Sequence, residues 1–229
     1  MRKGRNYDNG DIVQKKLFPI ITGLFFSLVL NFIIHIFIYL NQNNFAYDFR
    51  IILINISNWA LVVILIIIIV VWEKSSLASI GIKKISFKDF KWGLLVLILG
   101  FFLFFISDFI INSLNLVSQS SETKDLFIIP ISIRILMVIT AGITEEIIFR
   151  GYLIERIDIL SKSIIFSSIF SLIAFTVFHI PFWGIVGAIQ VGIWAIPITI
   201  FYIRFRNLTI CMIVHILYDA QILIPFLIN

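Results

Sequence analysis

The chain has 229 residues, 60% of them hydrophobic and only 14% charged. A soluble domain is about half apolar and a quarter charged, so composition excludes an ordinary water-soluble globule. The formal charge of +5 could indicate nucleic-acid binding, but the placement of the basic residues argues against it. The enrichment in Ile, Phe, Lys and Asn is typical of a protein from an AT-rich bacterial genome.

Crossing the hydrocarbon layer requires about 20 apolar residues. Seven segments meet this requirement and predict an all-α, polytopic transmembrane helical bundle with about seven membrane helices. They are residues 17–40, 51–72, 92–112, 128–149, 163–181, 184–203 and 207–227. We interpret residues 1–229 as a single membrane domain.

The basic residues fall on one side of this seven-helix topology. Fifteen of the 18 lie before helix 1 or in the connections that follow helices 2, 4 and 6. The others are Arg50, Lys124 and Arg134. By the positive-inside rule, the amino terminus is cytoplasmic and the carboxyl terminus external. The charge is then a topology signal with some attraction to membrane lipid, and no nucleic-acid partner is expected.

Two of the predicted connections between membrane helices are long. The cytoplasmic stretch 73–91 is predicted to contain a short interfacial helix that begins near Ser86. The stretch 113–127 is polar and predicted to be external. The one cysteine, Cys211, stands in an apolar run, which is typical of a small buried residue.

Ionisable side chains inside membrane helices are costly and therefore candidates for function. Glu145 and Glu146 end one predicted span, and the spacing of Glu146 and Arg150 predicts an ion pair on one helix face. Glu145 points away from that pair and is free to act. His35 has only apolar neighbours and reads as a core histidine. The positions of Asp108 and Arg134 predict a second ion pair, between helices 3 and 4.

Two further helices carry histidines. His179 follows Phe175 by one turn and precedes Pro181, which breaks the helix. His215 and Asp219 share a face of the last helix. For all of these groups to meet, helices 4, 5 and 7 must pack together.

This set permits hydrolysis. A base activates water, and hydrogen-bond donors stabilise the oxyanion. Glu145, His179, His215 and Asp219 supply those parts. The same four residues also resemble a zinc ligand set, although the HExxH spacing is absent. Both possibilities stay open, so zinc is a possible cofactor.

The motifs Glu145-Glu146-x-x-x-Arg150, Phe175-x-x-x-His179 and His215-x-x-x-Asp219 occur in this order over about residues 130–225. This pattern resembles the CPBP family of intramembrane proteases, also called the CAAX protease, Abi or bacteriocin-processing family.

The resemblance implies an endopeptidase that cuts small membrane-associated peptides or proteins. It implies that Glu145 and His179 activate water, that His215 and Asp219 hold the oxyanion, and that Glu146 and Arg150 support them. An ionised Asp219 cannot donate a hydrogen bond, so it must be protonated, orient His215 or bind a metal. Peptide pheromones and bacteriocin precursors are the expected substrates in a bacterium.

Two other functions compete with a protease. A non-catalytic immunity or scaffold protein would keep the motifs for shape alone. A transporter would show inverted repeats and interrupted helices, and the chain has no repeat.

The depth of the groups limits the protease hypothesis. A simple span leaves His179 too far from Glu145 to share a water molecule. We therefore predict that the uncharged turn at 181–184 is submerged in the bundle, so that Glu145, His179 and His215 meet in a cavity open to the cytoplasm.

Overall fold

The computed structural model describes residues 10–116 and 129–224. Most of the predicted external stretch 113–127 lies outside these residues, as do residue 128 and residues 225–227 of two predicted helices. Every regular element in the described ranges is helical. The α-helices are α1 Gly10–Phe25, α2 Asn31–Leu40, α3 Tyr47–Ile67, α4 Phe87–Ser113, α5 Ile131–Glu145, α6 Glu155–Ser161, α7 Ile164–Phe205 and α8 Leu208–Asp219.

Wider π-helical turns join several of these elements without a break. They are Phe26–Leu30 between α1 and α2, Ile68–Trp72 after α3, and Glu146–Ile154 between α5 and α6. Short 3₁₀ helices occupy Leu77–Ile80 and Ala220–Leu223. Such π turns are rare and often occur at functional sites.

Four helical stretches in the described ranges are long and apolar enough to cross a membrane. They are Lys16–Leu40, Tyr47–Trp72, Phe87–Ser113 and Ile164–Phe205. Many of their large apolar side chains are exposed, for example Phe109 and Ile165, which suits contact with lipid. The all-helical prediction is confirmed, whereas the count of seven membrane helices is not.

Helix α7 reverses direction at Gly184. This residue has φ 65° and ψ 179°, a conformation that is essentially restricted to glycine. A Cβ on Gly192 would collide with the hydroxyl of Thr176, although sixteen residues of straight helix would hold the two about 24 Å apart. Residues 164–183 and 185–205 therefore pack side by side, with the turn within the predicted stretch 181–184.

Helix α5 continues much further than the predicted span. The chain stays helical from Ile131 through the π turn to Ser161. Arg150 and Arg156, which we placed beyond the end of this span, are 1% and 2% exposed inside the bundle. The burial of Arg150 agrees with the predicted Glu146–Arg150 pair. The placement of Arg156 in a connection after the span is wrong, because Arg156 pairs with the buried Glu73 carboxylate.

The connection before α4 closes one end of the bundle. The Glu73 carboxylate lies 2.8 Å from the Arg156 guanidinium and accepts a hydrogen bond from the Tyr152 hydroxyl. At the same end, Glu155 pairs with Arg206 at 2.7 Å. We call this end, with residues 73–86 and 204–208, the basic end. Breaking a fully buried pair such as Glu73–Arg156 costs roughly 3–5 kcal/mol.

Helix α4 begins at the predicted position. Ser86 and Asp89 form a reciprocal capping box, with Ser86 accepting from the Asp89 amide at 3.2 Å. The helix then runs unbroken to Ser113. The short interfacial helix and the predicted span 92–112 are therefore a single helix.

The opposite end carries the 41–46 connection and the turn at Gly184. A small apolar cluster of Ile51 and Ile129, with Trp183 packed against them, joins α3, the start of α5 and α7 there. The predicted pair of Asp108 and Arg134 is absent from the described contacts. Arg134 donates to the carbonyl of Ile222 at 3.1 Å instead, and Asp108 accepts from Asn112 at 3.0 Å.

Candidate active site

Glu145 is the last residue of α5, where the π turn begins. Its Oε2 lies 3.7 Å from Nε2 of His179 and 3.9 Å from Nε2 of His215. The three side chains predicted to share a site therefore converge from α5, α7 and α8. Their assignment as catalytic residues stays a prediction.

Glu146 faces away from the cavity and is completely buried. Its Oε1 is 3.0 Å from the Arg150 guanidinium, so the predicted ion pair is confirmed. The same oxygen lies 2.8 Å from Nδ1 of His215, a contact that we did not predict. Arg150 also lies over the ring of Phe175, 4.2 Å from its centroid. Through His215, Glu146 thus links α8 to the packed side chains of Arg150 and Phe175.

His215 lies between two carboxylates. Its Nδ1 contacts Glu146, and its Nε2 lies 3.3 Å from Oδ2 of Asp219. Both ring nitrogens can donate at once only when the imidazole is protonated. The ring also packs edge-on against Trp194 at 4.9 Å. This arrangement holds a hydrogen-bond donor 3.9 Å from Glu145.

His179 has a fixed orientation. Its Nδ1 lies 2.7 Å from the backbone carbonyl of Phe175, and the two rings are 4.5 Å apart. A carbonyl oxygen only accepts, so Nδ1 carries the hydrogen and Nε2 keeps a lone pair. That lone pair is 3.7 Å from the Glu145 carboxylate. Two acceptors cannot hydrogen-bond to each other, but one water molecule can donate to both.

Close packing between α5 and α8 brings His215 next to the two glutamates. A Cβ on Gly142 would lie 2.9 Å from the backbone nitrogen of Ile216. The absent side chain lets α5 and α8 approach, so that His215 reaches Glu146. Ser171 strengthens the neighbouring contact, because its hydroxyl donates to the Phe149 carbonyl in the π turn at 2.7 Å.

A cavity of about 550 Å³ leads away from these residues. Glu145, His179, His215 and Asp219 line its inner part. Its lining reaches the end of the bundle opposite the basic end, at residues that include Tyr47, Asp108, Trp183 and Gln221. This lining differs from the prediction that the cavity opens on the side of the basic residues, where the pairs of Glu73 and Glu155 lie. The orientation of the bundle in the membrane stays a prediction.

Zinc binding by Glu145, His179, His215 and Asp219 stays a prediction. In the described part of the chain, no group of three or more His, Cys, Asp or Glu side chains could hold a metal ion. Nε2 of His215 lies 3.9 Å from Glu145 and 3.3 Å from Asp219. We derive no step through zinc.

Comparison with known proteins finds a family match over the segment that carries the candidate site. Residues 127–221 match the family described as Rce1-like, type II CAAX prenyl endopeptidase Rce1-like. Over this segment, which is less than half of the chain, the chain is similar to the CAAX protease family. The resemblance seen in the sequence motifs is thus confirmed, and the family match contains all the predicted site residues.

The family is one of proteases, which supports protease activity and a membrane location for this chain. No curated protein and no solved structure matches the chain.

Several residues around the site were missed from the sequence. Trp194 stacks on Tyr218 at 4.1 Å and so supports His215. Asn31 and Asn58 line the far wall of the cavity, together with His35, which we interpreted as a core histidine. For the two asparagines the available signal was a polar residue within a predicted span, although their side chains carry no charge. Cys211 is buried and free, as predicted.

Proposed function

We propose that the chain is a multi-pass intramembrane endopeptidase that hydrolyses small apolar peptides through a water molecule activated by Glu145. The single observation that supports this most strongly is the 3.7 Å gap between the Glu145 carboxylate and the free nitrogen of His179. A carboxylate within reach of water, beside a fixed imidazole, suits general-base catalysis.

The proposed steps use this chain's own side chains. A water molecule donates one hydrogen bond to Glu145 and one to Nε2 of His179. As water attacks the peptide carbonyl, Glu145 takes its proton. Nε2–H of His215 is shared between Asp219, which orients the ring, and the developing oxyanion. The proton on Glu145 then passes to the leaving amine, and the carbon–nitrogen bond breaks.

A peptidase assay tests this proposal. Purified chain in detergent is incubated with a mixture of apolar peptides, with and without a chelator, and new termini are identified by mass spectrometry. We expect cleavage that the chelator leaves unchanged. The control is His179→Ala purified in the same way, which removes contaminating proteases from the comparison. Cleavage abolished by chelator, and restored by zinc, would contradict the metal-free mechanism.

We further propose that substrates enter from the external face of a bacterial cell membrane. With the amino terminus cytoplasmic, the basic end faces the cytoplasm, so the cavity leads outward. Peptide pheromones, bacteriocins or their precursors reach that face.

Cysteine labelling in whole cells tests this orientation. Asn44 and Lys84 are exposed at opposite ends of the bundle, and Cys211 can be replaced by alanine. We expect a membrane-impermeant maleimide to label Asn44→Cys in intact cells and Lys84→Cys only after permeabilisation. The reverse pattern would place the cavity mouth in the cytoplasm.

A non-catalytic immunity protein is the second candidate, since it too would use an outward cavity to bind a peptide. It predicts peptide binding without any cleavage.

A further inference from the structure

A group of neutral polar side chains lines the cavity on helices α2 and α3. Asn31 and His35 are one turn apart on α2, and Asn58 lies on α3. They are 3%, 8% and 4% exposed, and all three line the cavity. None of them belongs to the segment that matches the protease family. Three buried polar groups on one wall need a partner or a purpose.

Their hydrogen bonding leaves two acceptors without partners. Nε2 of His35 lies 3.3 Å from Oδ1 of Asn58. Since Oδ1 only accepts, Nε2 carries the hydrogen, and Nδ1 of His35 is an acceptor. Among the described residues, neither Nδ1 of His35 nor Oδ1 of Asn31 has a hydrogen-bond partner. A ligand that suits this wall therefore supplies hydrogen-bond donors.

The acceptor pair lies next to the candidate active site. The His35 ring packs against Phe178 at 6.1 Å and Phe182 at 5.7 Å. These two residues flank His179 on α7. The π turn Phe26–Leu30 ends directly before Asn31, and such turns reorient the residues that follow them.

We propose that Asn31 and His35 form a substrate subsite in which Oδ1 of Asn31 and Nδ1 of His35 accept hydrogen bonds from the backbone N–H groups of an extended peptide. The inference rests on the proposed protease function and adds the part of the substrate that the first half of the chain recognises. Acyl chains and phosphate groups supply no such donors, and the aromatic side chains beside the pair suit an apolar peptide.

Helix α7 supplies a hydrogen-bond donor that can bind a carbonyl group of the same peptide. Nε2 of Gln190 is a buried donor without a hydrogen-bond partner among the described residues, and Gln190 lines the same cavity. An extended backbone presents both N–H and C=O groups along its edges. Gln190 therefore complements the Asn31–His35 subsite by donating to a substrate carbonyl.

Binding of main-chain-modified peptides tests this subsite. The probe is a mixture of short apolar peptides, each made in an unmodified form and in a form with backbone N-methyl groups. The full-length Glu145→Gln protein in detergent binds them without turnover, and bound peptides are quantified by mass spectrometry. We expect N-methylation to weaken binding roughly fivefold for each hydrogen bond lost.

The double variant Asn31→Leu/His35→Phe, made in the Glu145→Gln protein, is expected to bind unmodified peptides as weakly as that protein binds the methylated ones. It should no longer discriminate between the two forms. Ser27→Ala is the matched control, because Ser27 is buried one turn before Asn31 and donates to the carbonyl of Gly23 in its own helix at 2.7 Å. If the double variant does not fold, Asn31→Ala alone should lose discrimination roughly fivefold.

Undiminished discrimination in the variants would overturn the subsite, even if their melting temperature falls, since that result indicates a purely structural role. Failure of all unmodified peptides to bind would also overturn it. Failure of the proposed function is a separate result: peptides would bind with this discrimination, and the wild-type chain would still cleave none of them.

Discussion

Glu145→Gln is expected to lower peptide cleavage by about 10²–10⁴-fold, the usual contribution of a general base. The amide keeps the shape of the side chain but cannot take a proton from water. Oε2 of Glu145 has no hydrogen-bond partner among the described residues, so folding should be nearly unaffected. The measurement is kcat/KM on a cleaved peptide, with thermal unfolding of the same preparation.

Glu146→Gln provides the contrast. This substitution removes the charge that Arg150 and His215 share, so we expect a lower melting temperature together with lost activity. Loss of stability in Glu145→Gln and full stability in Glu146→Gln would reverse the roles that the geometry assigns to the two glutamates.

Arg150→Ala is expected to cost roughly 3–5 kcal/mol of folding free energy, because it leaves the Glu146 carboxylate buried and uncompensated. Arg150 is 1% exposed and packs over the Phe175 ring, so the cost includes lost packing. Folded yield and melting temperature in detergent are the measurements.

Arg204→Ala is the matched control. Arg204 is an exposed arginine of the same chain, and its removal should change stability by less than about 0.5 kcal/mol. A folded Arg150→Ala protein with the melting temperature of Arg204→Ala would contradict the structural role of the Glu146–Arg150 pair.

The order of motifs along the chain was sufficient to locate the candidate site. Helical periodicity placed Glu146 with Arg150 and His215 with Asp219, because residues four apart share a face whatever the tertiary structure. We predicted the convergence of His179 with Glu145 from an uncharged turn at 181–184, and the two side chains do converge. The submersion of that turn stays a prediction. These inferences depend on local geometry or on the cost of burying charge, both of which the sequence displays.

Other features depend on long-range contacts that no local pattern displays. Glu73 meets Arg156 across 83 positions of sequence, so nothing near either residue identified its partner. Arg156 was therefore assigned to a solvated connection. The predicted direction of the cavity also differs from the observed lining. Residues 73–86 fold back over the basic end through long-range contacts, which the sequence pattern does not display.

The most direct test of the account is a double-mutant cycle between Glu145 and His179. In the proposed mechanism one water molecule is bound by both side chains, so neither can activate it without the other. We predict that Glu145→Gln/His179→Gln cleaves peptide no more slowly than the slower single variant, as is usual for groups that act as a unit. Losses that multiply in the double variant, while each single variant stays folded, would show that the two residues act independently and would contradict a shared water.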